Sequence, residues 1–103
     1  MEIYESEEYE EWIDSLRDIS AVARIDSHFA RWRLHGKVFG HVKPVGRGVS
    51  EVKFNFGPGY RVYFAQKQDK ILLLLYGGDK SQQSKDIERA QFILSEYIQR
   101  KEW

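Results

Sequence analysis

The chain has 103 residues, 42% of them hydrophobic and 15% aromatic. That is one domain's worth of globular sequence, with more Tyr, Phe and Trp than a disordered chain carries. Cysteine is absent, which excludes a disulfide framework and any thiolate metal centre. The formal net charge is zero, but the charges are segregated. Residues 1–18 hold eight acids and one base, residues 19–80 hold eleven bases and four acids, and the remainder is balanced. A neutral total of this kind can conceal a basic working surface. The acidic start is unlike a secretory leader, and the longest apolar run, Ile71 to Tyr76, is too short to span a bilayer, so a cytoplasmic protein is expected.

In chain order, residues 2–5 alternate as a short strand. Ser6 before Glu7 and Glu8 is a helix N-cap followed by acids that favour the helix dipole. Tyr9, Trp12, Ile13 and Leu16 then predict a helix over 7–17. Ile19, Val22, Ile25, Phe29 and Trp32 predict a second helix stopped by Gly36, and the short link predicts an antiparallel helix pair. A short strand around Val42 to Val45 follows, at an edge or irregular because of Pro44.

Val52, Phe54 and Phe56, then Tyr60, Val62 and Phe64, alternate on either side of Gly57-Pro58-Gly59. This predicts a hairpin with Phe54 opposite Val62 and Val52 opposite Phe64. Its other face would set Asn55 opposite Arg61 and Lys53 opposite Tyr63, with Glu51 beside them. Ile71 to Tyr76 reads as a strand buried on both faces, and Ile87, Ala90, Leu94 and Tyr97 mark a final helix over 82–100. The expected architecture is α+β, in the order β-α-α-β-β-β-α, with two helices packed on a small twisted antiparallel sheet and a C-terminal helix.

The histidines, His28, His35 and His41, lie seven and six apart, which is not the spacing of metal ligands on one element, so no metal is expected. The glycines form neither a P-loop nor a dinucleotide fingerprint, so no cofactor is expected. What stands out is Lys43, Lys53, Arg61 and Lys80, each in or beside a strand. Clustered cations can hold a phosphodiester and stabilise the charge of its transition state, and neighbouring cations make a lysine's proton easier to lose. Tyr60 and Tyr63 could stack on bases. Spacing leaves this open against a merely solvated sheet face.

Five blocks carry a family resemblance: Val42-Lys43-Pro44-Val45-Gly46, Gly48-Val49-Ser50-Glu51-Val52, Gly57-Pro58-Gly59-Tyr60-Arg61-Val62-Tyr63-Phe64, Leu73-Leu74-Leu75-Tyr76-Gly77-Gly78-Asp79-Lys80-Ser81-Gln82 and Lys85-Asp86-Ile87-Glu88-Arg89-Ala90. In that order and spacing they resemble the addiction-module killer proteins, a phage-derived, HigB-like branch of the RelE/ParE toxin superfamily. The resemblance implies a single RelE-like toxin domain over 1–103 and a type II toxin–antitoxin system. It implies a metal-independent, ribosome-associated mRNA endonuclease, neutralised by a helix-turn-helix antitoxin of HigA-like kind.

By the same resemblance Arg61 and Lys80 stabilise the scissile phosphate, and Lys53 binds it or acts as base. Lys43 and Arg47 hold the RNA, Tyr63 stacks or donates a proton, and Glu51 and Asp79 orient the cations. The loop Gly36-Lys37-Val38-Phe39-Gly40-His41 departs from the family in having a lysine and a histidine for a polar and an acidic residue, which keeps His41 as a minor candidate. The superfamily also contains gyrase poisons, so a non-enzymatic ParE-type inhibitor of DNA gyrase is the second reading. A non-toxic phage-derived binding module is the third. The acidic first helix would repel phosphate, so it is expected away from the active face, where it either contacts the antitoxin or is simply solvated.

Overall fold

The computed structural model describes residues 1–103. Strand β1 (Glu2–Glu5) leads into helices α1 (Glu7–Ser15) and α2 (Ile19–His35). Four strands follow, β2 (His41–Gly46), β3 (Val49–Lys53), β4 (Arg61–Lys67) and β5 (Ile71–Gly78). A 3-10 turn (Lys80–Gln82) then opens helix α3 (Gln83–Gln99).

The helix boundaries follow from local chemistry. Ser6 caps α1 by accepting a hydrogen bond from the Tyr9 amide at 2.9 Å, with Glu7, Glu8 and Glu10 in the first turn. The Ser6 hydroxyl also donates to the Leu75 carbonyl at 2.7 Å, which fixes the helix start to β5. Leu16 turns extended and ends α1 at Ser15, two residues short of the predicted end at 17. Asp18 caps α2 through the Ala21 amide, and Gly36, at φ 70°, closes it in a left-handed conformation that costs other residues strain.

The sheet order is β1-β5-β4-β3-β2. Side chains alternate across it, so each interior strand feeds two cores. Val52, Val62, Phe64, Leu72 and Leu74 meet Tyr9 and Ile13 of α1 and Ile25, Phe29 and Trp32 of α2 on one face. Val49, Tyr63, Ala65, Leu73 and Leu75 meet Ala90, Ile93 and Leu94 of α3 on the other. Leu72 to Leu75 are buried, as a doubly covered strand requires.

The expected layout needs correction. The observed order is β-α-α-β-β-β-β-α, with five strands in place of four, and the sheet is mixed because β1 pairs parallel with β5, Glu2 beside Ile71 and Glu5 beside Leu74. The RelE-like order β-α-α-β-β-β-α on an antiparallel sheet is therefore not the one found. The stretch containing Pro44 is a full strand, since β2 is the outer edge and its ladder to β3 slips between Pro44 and Gly46, where the missing amide is tolerated. The two faces are covered separately, α1 and α2 on one and α3 on the other.

The β3–β4 register is also shifted by two. Val52 lies opposite Val62, Ser50 opposite Phe64 and Lys53 opposite Arg61. Phe54 to Tyr60 form a wider turn, closed by the Phe54 amide donating to the Tyr60 carbonyl at 2.9 Å. A slip of two preserves the faces, so the apolar residues still point to the core.

Candidate functional site

The register decides which polar side chains meet. On the α3 face, His41, Lys53 and Arg61 form one row across β2, β3 and β4, and Lys43, Glu51 and Tyr63 form the next. Cross-strand Cβ atoms in such rows are roughly 5 Å apart. The wider turn therefore brings Lys53 directly opposite Arg61, whereas the expected pairing of Lys53 with Tyr63 and Asn55 with Arg61 does not occur. α3 covers Tyr63 and reaches Glu51 with its first residue, but it leaves His41, Lys43 and Lys53 exposed. The result is a groove of about 480 Å³ lined by His41, Lys43, Glu51, Lys53, Arg61 and Gln83, with Gly40 and Val42 at its rim.

Arg61 is the floor of this groove. It is only 6% exposed, with Nη1 donating to the Gly59 carbonyl at 2.9 Å. Its Nε lies 3.8 Å from Oε1 of Glu51, which is itself 2% exposed. That separation is an ion pair without a hydrogen bond, and Nε has no other partner. Glu51 Oε2 accepts from Gln83 Nε2 at 2.8 Å, which ties β3 to the first residue of α3. A buried carboxylate and a buried guanidinium thus lie against each other at the groove floor. Lys43, Lys53 and His41 remain exposed around them. Three cations and an imidazole surround a single carboxylate, so the groove is positive and suited to phosphate.

The other expected residues are distributed differently. Lys80 sits beside the 57–59 turn. Its amide donates to the Pro58 carbonyl at 3.5 Å, and a methyl group placed on Gly59 would come 3.5 Å from Lys80 Cβ and 3.6 Å from Arg61 Nη1. It flanks the groove without lining it. Asp79 caps the 3-10 turn, its Oδ1 accepting from the Ser81 amide at 2.8 Å and hydroxyl at 2.6 Å. Those bonds, and more weakly the charge of Arg61, hold its carboxyl below the usual range.

Tyr63 is completely buried under α3, and its hydroxyl has no hydrogen-bond partner. Burial, and next the charge of Glu51, push its pKa well above the ordinary phenol value, so it neither stacks on a base nor donates a proton readily. Arg47 lies in the β2–β3 turn at the far end of the sheet, in a separate cavity against Glu88, Gln91 and Phe92 of α3, and is not part of the groove.

Sequence reasoning missed two features and gave a third too little weight. Gln83 had no signal, because its role depends on where α3 starts. His41 was held as a minor candidate, and it occupies the row of Lys53 and Arg61. The other missed feature is a second cavity of about 500 Å³ on the α2 side, lined by Arg24, Arg31, His28, Phe54 and Phe56 and sharing His41 and Lys53 with the first. Arg24 stacks over the Phe56 ring at 4.0 Å. His28 is wedged among Phe29, Trp32, Phe39 and Phe54, and burial lowers its pKa, so it is a packing residue. The cationic surface therefore runs continuously around the end of the β2–β3 hairpin. α1, with its acids, packs on the opposite face of the sheet from the groove. No helix is long and apolar enough to cross a membrane.

No family model matches the sequence. An uncharacterized protein of Haemophilus influenzae is 35% identical over 88 residues, which cover 85% of this chain and 87% of that protein. A likeness of that extent spans both helical layers and every strand that builds the groove, and it places the chain in the same family as the Haemophilus influenzae protein.

Proposed function

We propose that the chain is a toxin of a type II toxin–antitoxin system, acting in the cytoplasm as an mRNA endonuclease at the ribosome and held inactive by a cognate helix-turn-helix antitoxin. The observation that carries this reading is the convergence of Lys43, Lys53 and Arg61, with His41, in one groove built by three adjacent strands. The family-like blocks noted above support it independently.

The chemistry that fits is attack by a ribose 2′-hydroxyl on the adjacent phosphorus. The 2′-oxygen forms the new bond, the 5′-oxygen of the next nucleotide leaves, and the products are a 2′,3′-cyclic phosphate and a 5′-hydroxyl. One proton must leave the 2′-oxygen and one must reach the departing oxygen. Lys53 and His41 are the exposed groups of the central row that exchange protons. Lys43 and Lys53 hold the phosphate, and the buried guanidinium of Arg61 supplies a fixed positive charge beneath it. The Arg24 and Arg31 rim would carry the flanking RNA backbone past Lys53.

The test is primer extension on an actively translated message in a cell-free system. New 3′ ends within the reading frame should appear with the protein, and should vanish with Lys53→Ala or with added antitoxin. Intact message despite growth arrest on expression would overturn the nuclease reading and point to a bound target such as DNA gyrase.

A further inference from the structure

A second site lies beside the cationic groove, one strand over, where Gly78 at the end of β5 pairs with Arg61. Pairing of β1 with β5 stops at Leu74, so Leu75 to Gly78 have no strand on that side. Over this free edge Trp12 and Leu16 lean from above, and Asp79 and Asp86 rise from the 3-10 turn and α3. With Tyr60 and Tyr76 they enclose a pocket of about 220 Å³. Trp12 and Tyr60 meet edge to face, with ring centroids 6.2 Å apart.

The two glycines at the end of β5 exist for this arrangement. A Cβ on Gly77 would come within 2.3 Å of the Trp12 ring, and one on Gly78 within 2.0 Å of Asp86 Oδ2. The backbone is bare where the indole and the carboxylate press against it.

Asp86 is the unusual member. It is 9% exposed, and no donor from the protein reaches its carboxylate. The two ion pairs of the chain lie elsewhere. Asp86 lies in the first turn of α3, and what remains exposed of it opens onto this pocket, so its carboxylate is available to a cation there with no competing donor from the protein. Asp79 uses Oδ1 on Ser81, which leaves Oδ2 open to the same space. Three aromatic rings around two carboxylates match a cation, because ring faces and carboxylates are both negative. A phosphate would be repelled. Glu8 and Glu11 share the helix that carries Trp12.

We propose that this pocket receives the guanidinium or ammonium group of an arginine or lysine side chain from a partner polypeptide. It would do so whether or not the neighbouring groove cleaves RNA. Asp86 would pair with the cation, Trp12, Tyr60 and Tyr76 would wall it, and the acidic face of α1 would attract the surrounding basic segment.

The test uses the full-length 15N-labelled chain, titrated at constant ionic strength with N-acetyl-arginine amide and with N-acetyl-citrulline amide. Citrulline has the same shape and no charge. The Trp12 indole resonance and the Gly77 and Gly78 amides should shift saturably with the arginine compound and not with citrulline. Asp86→Asn keeps the volume and removes a buried charge, so it should fold, and it should weaken binding by about tenfold or more. Absence of saturable shifts, equal shifts with citrulline, or undiminished binding by Asp86→Asn would each overturn the proposal. Saturable shifts at these residues with guanosine in place of arginine would also overturn it, and would assign the pocket to a nucleobase.

Discussion

Replacing Glu51 or Arg61 tests how much the buried ion pair at the groove floor depends on both partners. In Glu51→Leu the guanidinium of Arg61, 6% exposed, loses its ion-pair partner and keeps one hydrogen bond, to Gly59. Breaking a buried pair by deleting one member costs about 3–5 kcal/mol. The 3.8 Å separation, too long for a hydrogen bond, places this pair near the lower end. Arg61→Met alone strands Glu51 in the same way, although Gln83 still donates to it. The double variant leaves no unpaired charge and should be more stable than the sum of the single losses allows, by roughly 2 kcal/mol or more of coupling. In a chain of this size each kcal/mol moves Tm by about 4–8 °C, so either single variant should melt at least ~12 °C lower. Urea titrations followed by circular dichroism give the free energies for the cycle. Strictly additive losses would refute the reasoning, since they would mean that Glu51 and Arg61 are each compensated by something other than the other.

Three further outcomes are expected. Gly77→Ala should destabilise by about 1–3 kcal/mol in the same denaturation assay, because its methyl meets the Trp12 ring, and Trp12→Leu in the same chain should recover part of the loss. Tyr63→Phe removes a buried hydroxyl that has no partner, so stability near neutral pH should change by less than about 1 kcal/mol and RNA cleavage should persist. The folded state raises the pKa of Tyr63 above its ordinary 10.0, so its stabilisation is present below that pH and is lost as pH climbs beyond it. Alkaline titration of the folded chain should therefore show a steeper loss of stability for the wild type than for Tyr63→Phe. Lys53→Ala should reduce the slope of log affinity against log salt for a single-stranded RNA by roughly 0.7, and an unchanged slope would show that Lys53 makes no phosphate contact.

Periodicity made some of this molecule legible and pairing partners did not. The buried faces of α1 and α2 could be read because Tyr9 and Ile13, and Ile25, Phe29 and Trp32, repeat at helical spacing, and the Leu72 to Leu75 run declares a strand covered twice. The parallel pairing of β1 was invisible, since four alternating residues carry no mark of which strand they join or in which direction. The β3–β4 hairpin shows the same limit at finer scale. Apolar alternation continues through Phe54 and Phe56, so it could not reveal that the ladder stops at Lys53 and that the turn takes both phenylalanines out of it. For the site, Lys43, Lys53 and Arg61 were found because charges in strands on the α3 side of the sheet stand out. Tyr63 misled because alternation places it on the same face as Arg61, while the position of α3 decides that one is covered and the other only nearly so.

The parallel edge also bears on when the chain can fold. The Ser6 hydroxyl and the Leu75 carbonyl are 69 residues apart in sequence, yet their bond anchors α1 to the sheet. During synthesis β1 and both N-terminal helices emerge long before β5 exists to receive them, and pairing across so large a separation is slow. The groove matures later still, because Gln83 must arrive to hold Glu51 against Arg61. A nascent chain of this kind completes its positive surface only after the start of α3 has left the exit tunnel.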